Sequence, residues 1–387
     1  MHTAVNILAG KGNKVRPRKT FDAMVMNFLT ELSNTITQNS LSRKYVDLAA
    51  FAFWIRKNRL SQWKEKYNRP HALGRGMAFH IAPANVPLNF AYSFVFGLLS
   101  GNSNIVRVSG KDFAQVDILC DILRQVFKNY PEIEEENAIV RYPHHDEINA
   151  EFSSACQVRV IWGGDETIRK ICFFPVAPAT TEVHFANRVS MALVGSDRYI
   201  RFSSEEKQRL AHLFYNDTYF SDQMACSSPA MIFFLGEQNE AAKEEFFTYL
   251  AEESKKYPMD GVRMVEKYAL MLETMARGGT KRIFAEENLI VLNVDKPYLL
   301  TELLGRFGLF YQYDIQSVED LLPWICQSVQ TLSYTGISAE ELYQCIEKNH
   351  LLGIDRIVPF GEGLSMDLLW DGYPLISAMS REISVLG

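Results

Sequence analysis

Short apolar segments of strand length alternate with segments of helical periodicity through the middle of this chain, and this alternation restricts the fold more than any other feature. Between residues 87 and 162 the pattern predicts helices over residues 87–99, 113–127 and 147–155 and strands over residues 103–108, 138–142 and 158–162. Strands that alternate with helices of this length form a parallel sheet through right-handed crossovers. The fold class is therefore α/β, with an architecture typical of nucleotide-binding domains.

A second alternating half follows the first. It is predicted to contain strands over residues 191–194, 230–235, 289–294 and 310–313 and helices over residues 204–214, 240–255 and 318–325. Residues 21–63, which precede both halves, carry apolar side chains at helical spacing and are expected to form two or three covering helices. Two halves predict two α/β domains with a cleft between them.

Composition and charge exclude several classes of protein. The chain has 387 residues, of which 47% are hydrophobic and 22% charged, as in folded globular proteins. Its formal net charge of -6 argues against a nucleic-acid partner. The basic segment 11–19 is expected to be solvated or frayed. The longest apolar run, 86–99, is too short to span a bilayer, so no membrane span is expected.

Cysteine usage predicts a reduced, cytoplasmic protein. The six cysteines include no CxxC pair and have no histidine at metal-ligand spacing, so no metal site is expected. Without a secretory leader they are expected to be thiols, most of them inert in the core. Cys226 differs, because it lies among small polar residues in a predicted loop between a helix and a strand. A thiol in such a loop can reach a substrate, although a buried and unreactive cysteine remains the alternative.

Three loops at strand ends carry candidate ligand-binding groups. Asn85 follows a predicted strand over residues 77–81, where its amide can stabilise an oxyanion or simply cap the next helix. The strand at 103–108 presents Arg107 and Ser109 near its carboxyl end, with Lys111 close behind, which suits a phosphorylated ribose or a basic surface. Gly163 and Gly164 end another strand, where they allow a ligand to approach the backbone or make a plain turn.

Taken together, the order of these segments resembles the aldehyde dehydrogenase superfamily, and within it the LuxC family of fatty acyl-CoA reductases. The resemblance extends from about residue 74 to residue 373 and is most specific in Asp222-Gln223 to Cys226-Ser227-Ser228-Pro229 and in Trp370-Asp371-Gly372-Tyr373. It implies an aldehyde dehydrogenase-like fold, with a Rossmann-type cofactor domain and a second α/β catalytic domain. The expected boundaries are 1–190 for the N-terminal helices and the NADP-binding domain, 191–360 for the catalytic domain, and 361–387 for a segment returning toward the cleft.

The resemblance also implies roles for individual residues. Cys226 is the expected acyl-accepting nucleophile and Asn85 the expected oxyanion donor. Arg107 occupies the place of a lysine that contacts the adenosine ribose, and Gly110 stands where NAD-using members commonly carry a glutamate, which fits NADPH. The turn at 163–164 falls beside the expected pyrophosphate, which makes Gly163, Gly164, Arg107 and Ser109 the expected cofactor-binding residues.

One departure from the oxidising members of the superfamily is informative. Those members activate a hydrolytic water with a glutamate, whereas His184 stands at that place in this chain. A reductase must keep water away from its acyl-enzyme, so the loss of the carboxylate favours reduction. His184 is expected to act as an acid or base or else to be a packed histidine. Glu182 is the nearest carboxylate and would replace it if the alignment shifted.

The expected function is therefore an NADPH-dependent acylating aldehyde dehydrogenase, in which Cys226 accepts the acyl group. Acyl-CoA or an acyl carrier protein is the expected donor, and a second copy of the chain and an acyl-protein synthetase are the protein partners to consider. An acyltransferase or thioesterase that uses Cys226 without redox chemistry is the alternative. A non-catalytic nucleotide-binding scaffold on the same fold is a further one.

Overall fold

The chain folds into two units, each built around its own largely parallel sheet. The computed structural model describes residues 5–84, 86–143, 145–286, 288–295, 301, 303 and 305–386. The first unit comprises Met1–Ala186 and Leu368–Gly387, and the second comprises Asn187–Asp367. Among the described residues, no helix has both the length and the apolar character that a membrane span requires.

The described residues of the first unit form eight helices and seven strands before residue 186. The helices are α1 Ala23–Gln38, α2 Val46–Trp54, α3 Lys57–Tyr67, α4 Asn89–Leu99, α5 Ala114–Phe127, α6 Pro131–Glu136, α7 Asp146–Ala155 and α8 Asp165–Cys172. The strands are β1 Asn6–Gly10, β2 Ala72–Gly74, β3 Met77–Ile81, β4 Ser103–Val108, β5 Asn137–Arg141, β6 Val158–Trp162 and β7 Thr181–Phe185. A short 3-10 helix covers Ser42–Lys44.

The second unit follows the same alternation. Its helices are α9 Ser196–Tyr199, α10 Ser204–Thr218, α11 Asn239–Ser254, α12 Gly261–Ala276 and α13 Ala339–Lys348. Its strands are β8 Val189–Gly195, β9 Pro229–Leu235, β10 Thr280–Ala285, β11 Ile290–Val294, β12 Leu309–Ile315, β13 Val329–Thr335 and β14 Arg356–Pro359. Short 3-10 helices cover Tyr219–Ser221 and Val318–Trp324.

The last residues of the chain belong to the first unit. They form β15 Leu369–Trp370, β16 Tyr373–Pro374, α14 Leu375–Met379 and β17 Ser380–Glu382. Strand β17 pairs antiparallel with β2, and the side chain of Asn102 donates to the carbonyl of Met379. These contacts attach the C-terminal segment to the first unit.

The topology of the first sheet creates a position at which ligands commonly bind. Its strand order is β1-β5-β4-β3-β6-β7, and every neighbouring pair is parallel except β1 with β5. The chain leaves β3 toward β4 and β5 on one side and later adds β6 and β7 on the other. The strand order therefore reverses between β3 and β6, and a crevice at the carboxyl ends of two such strands is the general ligand site of open α/β sheets.

The predicted α/β fold is confirmed. The predicted strands agree with observed strands of the two sheets, because a buried strand appears in the sequence as a short apolar run. All six residues of β4 and all five of β6 are buried, as expected for strands covered by helices on both faces. Two local predictions are wrong. The helix predicted over 87–99 begins at Asn89, and the one predicted over 318–325 is a 3-10 helix with Pro323 inside it, because proline removes a backbone donor.

The basic segment 11–19 is neither frayed nor merely solvated. Lys11, Lys14 and Arg18 form ion pairs with three glutamates of α6, namely Glu134, Glu135 and Glu136. The Arg18–Glu136 pair is bidentate and nearly buried. The prediction of a solvated segment failed because the three glutamates are more than 110 residues away along the chain. A local run of basic residues does not reveal such distant partners.

A buried polar network connects four strands and one helix of the first unit. The His80 ring lies 2.7 Å from the Ser93 hydroxyl through Nδ1 and 3.0 Å from the Asn104 carbonyl oxygen through Nε2. The Trp162 indole donates to the same hydroxyl, and the Asn104 amide donates to Asn137. Burial lowers the pKa of His80 from 6.5 to about 4, so the ring is neutral at physiological pH.

We expect His80 to make the protein sensitive to acid. Between pH 6.5 and about 4 the unfolded chain binds a proton at this histidine and the folded chain does not, so stability falls as the pH falls. The contribution across this window is about 3 kcal/mol. His80→Gln keeps an amide between Ser93 and Asn104, and should show a shallower loss of unfolding free energy in urea between pH 7 and 4.5. The exposed His212→Gln should keep the wild-type slope, and an equal slope in His80→Gln would contradict the assignment.

Candidate functional site

Cys226 lies in a short loop that leads into the amino-terminal end of strand β9 in the second sheet. The loop joins the 3-10 helix at Tyr219–Ser221 to β9, and Cys226 is exposed at the surface of the second unit. The Ser190 hydroxyl donates to the Cys226 carbonyl at 2.6 Å and accepts from the backbone N–H of Thr331 at 3.2 Å. Because Ser190 and Thr331 belong to β8 and β13, the sheet itself holds the backbone of the cysteine.

Gln223 is the main anchor of this loop. Its side chain is buried, donates to the carbonyls of Pro229 and Leu309, and accepts from the backbone N–H of Gly308. Gln223 also has a positive φ of 60°, as does the preceding Asp222 at 54°. Such conformations are strained for residues other than glycine and persist where surrounding contacts impose them. Gln223 therefore fixes the path of the loop that carries Cys226.

Asp222 holds the other side of the loop. Its carboxylate accepts from the Tyr257 hydroxyl at 2.5 Å and from the Arg263 guanidinium at 3.3 Å. Ser228, which follows the cysteine, donates to the carbonyl of Asp217 at 2.7 Å. The polar residues around Cys226 thus serve as structural clamps, and the cysteine is the exposed nucleophilic group that they present.

A separate cavity of the second unit lies at the opposite edge of the sheet from Cys226. It has a volume of about 760 Å³ and is lined by residues that follow the carboxyl ends of β8, β9, β12 and β13, including Gly195, Gly236, Ser317 and Gly336. Cys226 instead precedes the first residue of β9. The exposed cysteine is therefore the better indication of the reactive centre, because a thiol supplies chemistry and an open crevice does not.

In the first unit, Gly163 and Gly164 lie at the carboxyl end of β6, beside the strand-order reversal. Gly164 is the N-cap of α8, and the Gly163 N–H donates to the carbonyl of Phe185. A side chain at position 163 would approach Thr167 to 3.1 Å, so a larger residue fits poorly there. Asp165 and Glu166 occupy the first turn of α8 and disfavour an anion at that helix terminus. A ligand can therefore approach the backbone of this turn closely, but the acidic helix terminus does not favour a phosphate group there.

Arg107 is the second predicted cofactor residue, and the structure places it at the carboxyl half of β4. The side chain is buried, its guanidinium lies 4.8 Å above the Tyr142 ring, and its Nε has no hydrogen-bond partner within the described chain. Burial lowers the pKa of Arg107. A buried donor without a partner is uncommon in folded proteins, and a bound water, ion or ligand is one explanation for it. The Nε atoms of Arg75, Arg141 and Arg188 share this state, so it does not single out Arg107.

The loop after β4 is open. Ser109 is half-buried and its hydroxyl accepts from the backbone N–H of Lys111, while a side chain added at Gly110 would meet nothing within 4 Å. The structure thus brings Arg107, Ser109 and Lys111 to one strand end, with no carboxylate at position 110. These residues and the turn at 163–164 all follow carboxyl ends of strands in the same sheet.

His184 lies on the edge strand β7 within a small polar cluster. Its Nε2 is 3.5 Å from the Cys172 Sγ and 3.8 Å from the Glu182 Oε1, and about a third of its side chain is exposed. Glu182 is itself bound by the buried Arg159. The carboxylate that the sequence offered in place of His184 is therefore committed to an ion pair, whereas the imidazole remains accessible.

Asn85 lies outside the described residues. The neighbouring elements are described, and they bear on the capping role that the sequence left open. Helix α4 begins at Asn89 with Leu88 in the N-cap position, which is three residues beyond Asn85. The helix that the sequence predicted from about residue 87 therefore begins four residues after position 85.

The specific Trp370-Asp371-Gly372-Tyr373 segment proves to be a tight hairpin. Strands β15 and β16 pair Trp370 with Tyr373, and the two turn residues both have positive φ, 49° and 74°. Two positive values are the signature of a type I′ turn, for which Asp-Gly is a preferred sequence. The Tyr373 ring packs edge-on against Phe185, which adjoins His184 on β7.

Sequence reasoning missed the residues that position this chemistry. Gln223 and Asp222 stood out only as part of a motif, and their clamping roles depend on partners 35 to 86 residues away. Cys172 was not singled out from the other cysteines, yet it is exposed and contacts His184. The alternation of side chains along β7 predicts that Glu182 and His184 share a face, but nothing local indicates that Cys172 joins them.

The chain is similar in sequence to several known proteins. Three long-chain acyl-protein thioester reductases illustrate the similarity: one from Aliivibrio fischeri is 22% identical over 74% of this chain, one from Photorhabdus luminescens 26% over 77%, and one from Vibrio harveyi 26% over 75%. The chain spans only 58 to 60% of the length of these relatives.

Solved structures show the same fold. A NAD-dependent benzaldehyde dehydrogenase from Corynebacterium glutamicum matches 94% of this chain with a TM-score of 0.60 and 11% identity, covering 82% of that protein. A lactaldehyde dehydrogenase from Escherichia coli matches 94% of the chain with a TM-score of 0.59 and 12% identity, covering 84% of that protein. The family model described as acyl-CoA reductase (LuxC) matches residues 22–381, and the chain therefore belongs to the LuxC acyl-CoA reductase family.

Proposed function

We propose that this protein is an NADPH-dependent reductase that takes an acyl group from a thioester onto Cys226 and releases it as an aldehyde. The observation that carries the proposal is the exposed thiol of Cys226 on a loop that Gln223 and Asp222 clamp on both sides. A nucleophile must be both accessible and fixed in position. Family membership and the names of the relatives support an acyl thioester as the substrate.

The acyl transfer step follows from the chemistry of the thiol. The Cys226 thiolate attacks the thioester carbonyl, a new carbon–sulfur bond forms, and the bond to the carrier sulfur breaks. The carrier leaves as a thiolate and takes up a proton, for which His184 is the proposed donor. The Asn85 amide is the proposed hydrogen-bond donor to the oxyanion that develops on the carbonyl oxygen. Because one thioester replaces another, this step has little net energy change.

The residues of the first unit fit a phosphorylated dinucleotide. Arg107 has a buried Nε without a partner within the described chain, and position 110 offers open space and no carboxylate. Arg107 and Ser109 are the proposed phosphate contacts, whereas the backbone at Gly163 and Gly164, where the acidic first turn of α8 disfavours an anion, is a proposed contact to an uncharged part of the cofactor. NADPH, when bound, supplies the hydride that converts the acyl group to an aldehyde. Position 184 carries an imidazole in place of the carboxylate that activates water in oxidising enzymes. Hydrolysis of the acyl-enzyme is therefore disfavoured.

The acyl donor follows from the same comparison. The relatives are named for acyl-protein thioesters, so we propose either an acylated protein or acyl-CoA as the donor. Both carry the acyl group on a thiol, and Cys226 exchanges with either by the same chemistry. An acyl-protein synthetase and a second copy of the chain remain proposed protein partners.

The proposal is tested by following NADPH absorbance with and without a long-chain acyl-CoA, and by measuring aldehyde in the same samples. Oxidation of NADPH that depends on the thioester, with one aldehyde formed per NADPH, is the expected result. Release of free coenzyme A without loss of NADPH would identify the acyltransferase or thioesterase alternative. Binding of NADPH without acylation of any cysteine would identify a non-catalytic nucleotide-binding protein.

Gly110→Glu should change the choice of cofactor. The new side chain meets no atom within 4 Å of its Cβ, so the fold should tolerate it. A carboxylate near the ribose repels a 2′-phosphate and accepts hydrogen bonds from a free 2′-hydroxyl. We expect the KM for NADPH to rise about 10-fold or more, which corresponds to roughly 1.4 kcal/mol, with a smaller change for NADH.

Gly261→Glu is the matched control, because position 261 is equally open and lies in the second unit at the start of α12. It should leave both KM values unchanged. An unaltered NADPH preference in Gly110→Glu would remove position 110 from the proposed cofactor site.

A further inference from the structure

Three potential metal ligands of different chemistry converge on the edge of the first sheet. Cys172 is the last residue of α8, and Glu182 and His184 lie on one face of β7. One ligand atom from each of these three residues lies within 4.8 Å of the other two. A thiol, an imidazole and a carboxylate are the side chains that zinc sites use.

The distances between these atoms are those that a tetrahedral ion would impose. With Zn–S of about 2.3 Å and Zn–N and Zn–O of about 2.1 Å, a tetrahedral angle separates S from N by about 3.6 Å and N from O by about 3.4 Å. The observed separations are 3.5 Å from Cys172 Sγ to His184 Nε2 and 3.8 Å from His184 Nε2 to Glu182 Oε1. The remaining pair, the Cys172 thiol and the Glu182 carboxylate, also lies within 4.8 Å, so the three ligand atoms surround one small space.

A buried arginine holds together the two segments that bear the three ligands. Arg159 is 1% exposed, and its guanidinium donates to the Glu182 carboxylate and to the carbonyls of Ile171 and Phe174, which flank Cys172 along the chain. A hydrogen bond to a ligating carboxylate is the usual way in which proteins orient metal ligands. Arg159 thus ties the end of α8 to β7 at the separation that the cluster requires.

The cluster is accessible to ions from solution. The side chains of Glu182 and His184 are 29% and 32% exposed, and Cys172 is exposed. Three protein ligands leave a fourth position for water, as in zinc sites that are not closed. The thiolate and imidazole favour zinc over magnesium or calcium, which prefer oxygen ligands.

We propose that Cys172, Glu182 and His184 form a zinc-binding site on the first unit, with Arg159 as the positioning residue. Binding releases the thiol proton to solvent and forms Zn–S, Zn–N and Zn–O bonds, with no change in oxidation state. The ligands and their spacing stand without the proposed reductase reaction. A zinc-bound His184 Nε2 has no proton to donate, so metal binding and the proton transfer proposed above exclude each other at this nitrogen.

Co²⁺ is the spectroscopic probe for this site, since a thiolate bound to Co²⁺ gives a charge-transfer band in the near ultraviolet. The full chain is reduced, freed of metal with a chelator and titrated with Co²⁺, and Zn²⁺ is then added to displace it. We expect saturation at one equivalent, a thiolate-to-cobalt band, and its loss on adding Zn²⁺.

Cys172→Ser should abolish the band, and His184→Gln should weaken Zn²⁺ binding by more than about 100-fold, because replacing a residue that merely orients a ligand costs about 10- to 100-fold. The matched controls are Cys326→Ser and His212→Gln, a partly buried cysteine and a histidine that also pairs with a glutamate. Both should retain full binding, and circular dichroism confirms that each variant is folded. A wild-type protein that binds no Co²⁺, a band that survives in Cys172→Ser, or a band that disappears in Cys226→Ser would overturn the proposal.

Discussion

Cys226→Ala should eliminate acyl-enzyme formation when the protein is mixed with a long-chain acyl-CoA. Alanine has no nucleophile, and the loss of a catalytic nucleophile typically reduces turnover on the order of 10⁴-fold or more. Intact-protein mass spectrometry measures the acyl adduct, and NADPH absorbance measures turnover in the same preparation. The variant should still bind NADPH, because the proposed cofactor residues belong to the first unit.

Cys226→Ser distinguishes the loss of the nucleophile from a change in the size of the side chain. A hydroxyl occupies nearly the same space but is far less nucleophilic than a thiolate at neutral pH, so this variant should also fail to accumulate the thioester. The backbone bond from Ser190 to position 226 does not involve the side chain and should persist, so stability should be close to that of the wild type. Cys326→Ala is the control and should be acylated normally. An adduct that remains on Cys226→Ala would assign the nucleophile to another cysteine.

Asn85→Ala should slow thioester-dependent NADPH oxidation by about 10²–10³-fold, with little change in the KM for acyl-CoA. One preorganised donor to an oxyanion is worth roughly 2.7–4 kcal/mol, and it acts on the transition state more than on the bound substrate. Asn85→Asp is the informative variant, because it keeps the size of the side chain but replaces the amide donor with a carboxylate. It should be at least as slow as Asn85→Ala.

The control for position 85 is Asn13→Ala, which changes an exposed asparagine of the first unit. It should react at the wild-type rate. A wild-type turnover number in Asn85→Asp would exclude the amide from transition-state stabilisation, while an increase in KM alone would make it a binding residue.

Much of the fold was predictable because buried parallel strands leave a strong local signal. Strands β4 and β6 were predicted over the residues they occupy, since every side chain in them is apolar or buried. The edge strands β1 and β7 escaped notice because they are only partly buried and their patterns are short. The ion pairs of segment 11–19 were not predicted for a different reason, because their glutamate partners lie on a helix more than 110 residues further along the chain.

The exposure of Cys226 was predictable and the supports of its loop were not. Its small polar neighbours and the following strand favour an exposed loop, which the structure shows, while its choice as the nucleophile rests on the family resemblance and stays a prediction. Gln223 could not be assigned its role, because the groups it binds, Pro229, Leu309 and Gly308, meet only after β9 and β12 pair. Side-chain partners across a sheet follow from register, which local sequence does not specify.

The sequence by itself determined the class of fold, the order of many of its elements and the presence of a cysteine in an exposed loop, since these depend on periodicity and on neighbours along the chain. Only the tertiary structure decided that Cys172 joins Glu182 and His184, that Arg159 holds them, and that Asp222 and Gln223 clamp the loop of Cys226. The physical reason is that hydrogen bonds and metal ligation act over about 3 Å, and folding brings within that distance residues that the chain keeps far apart.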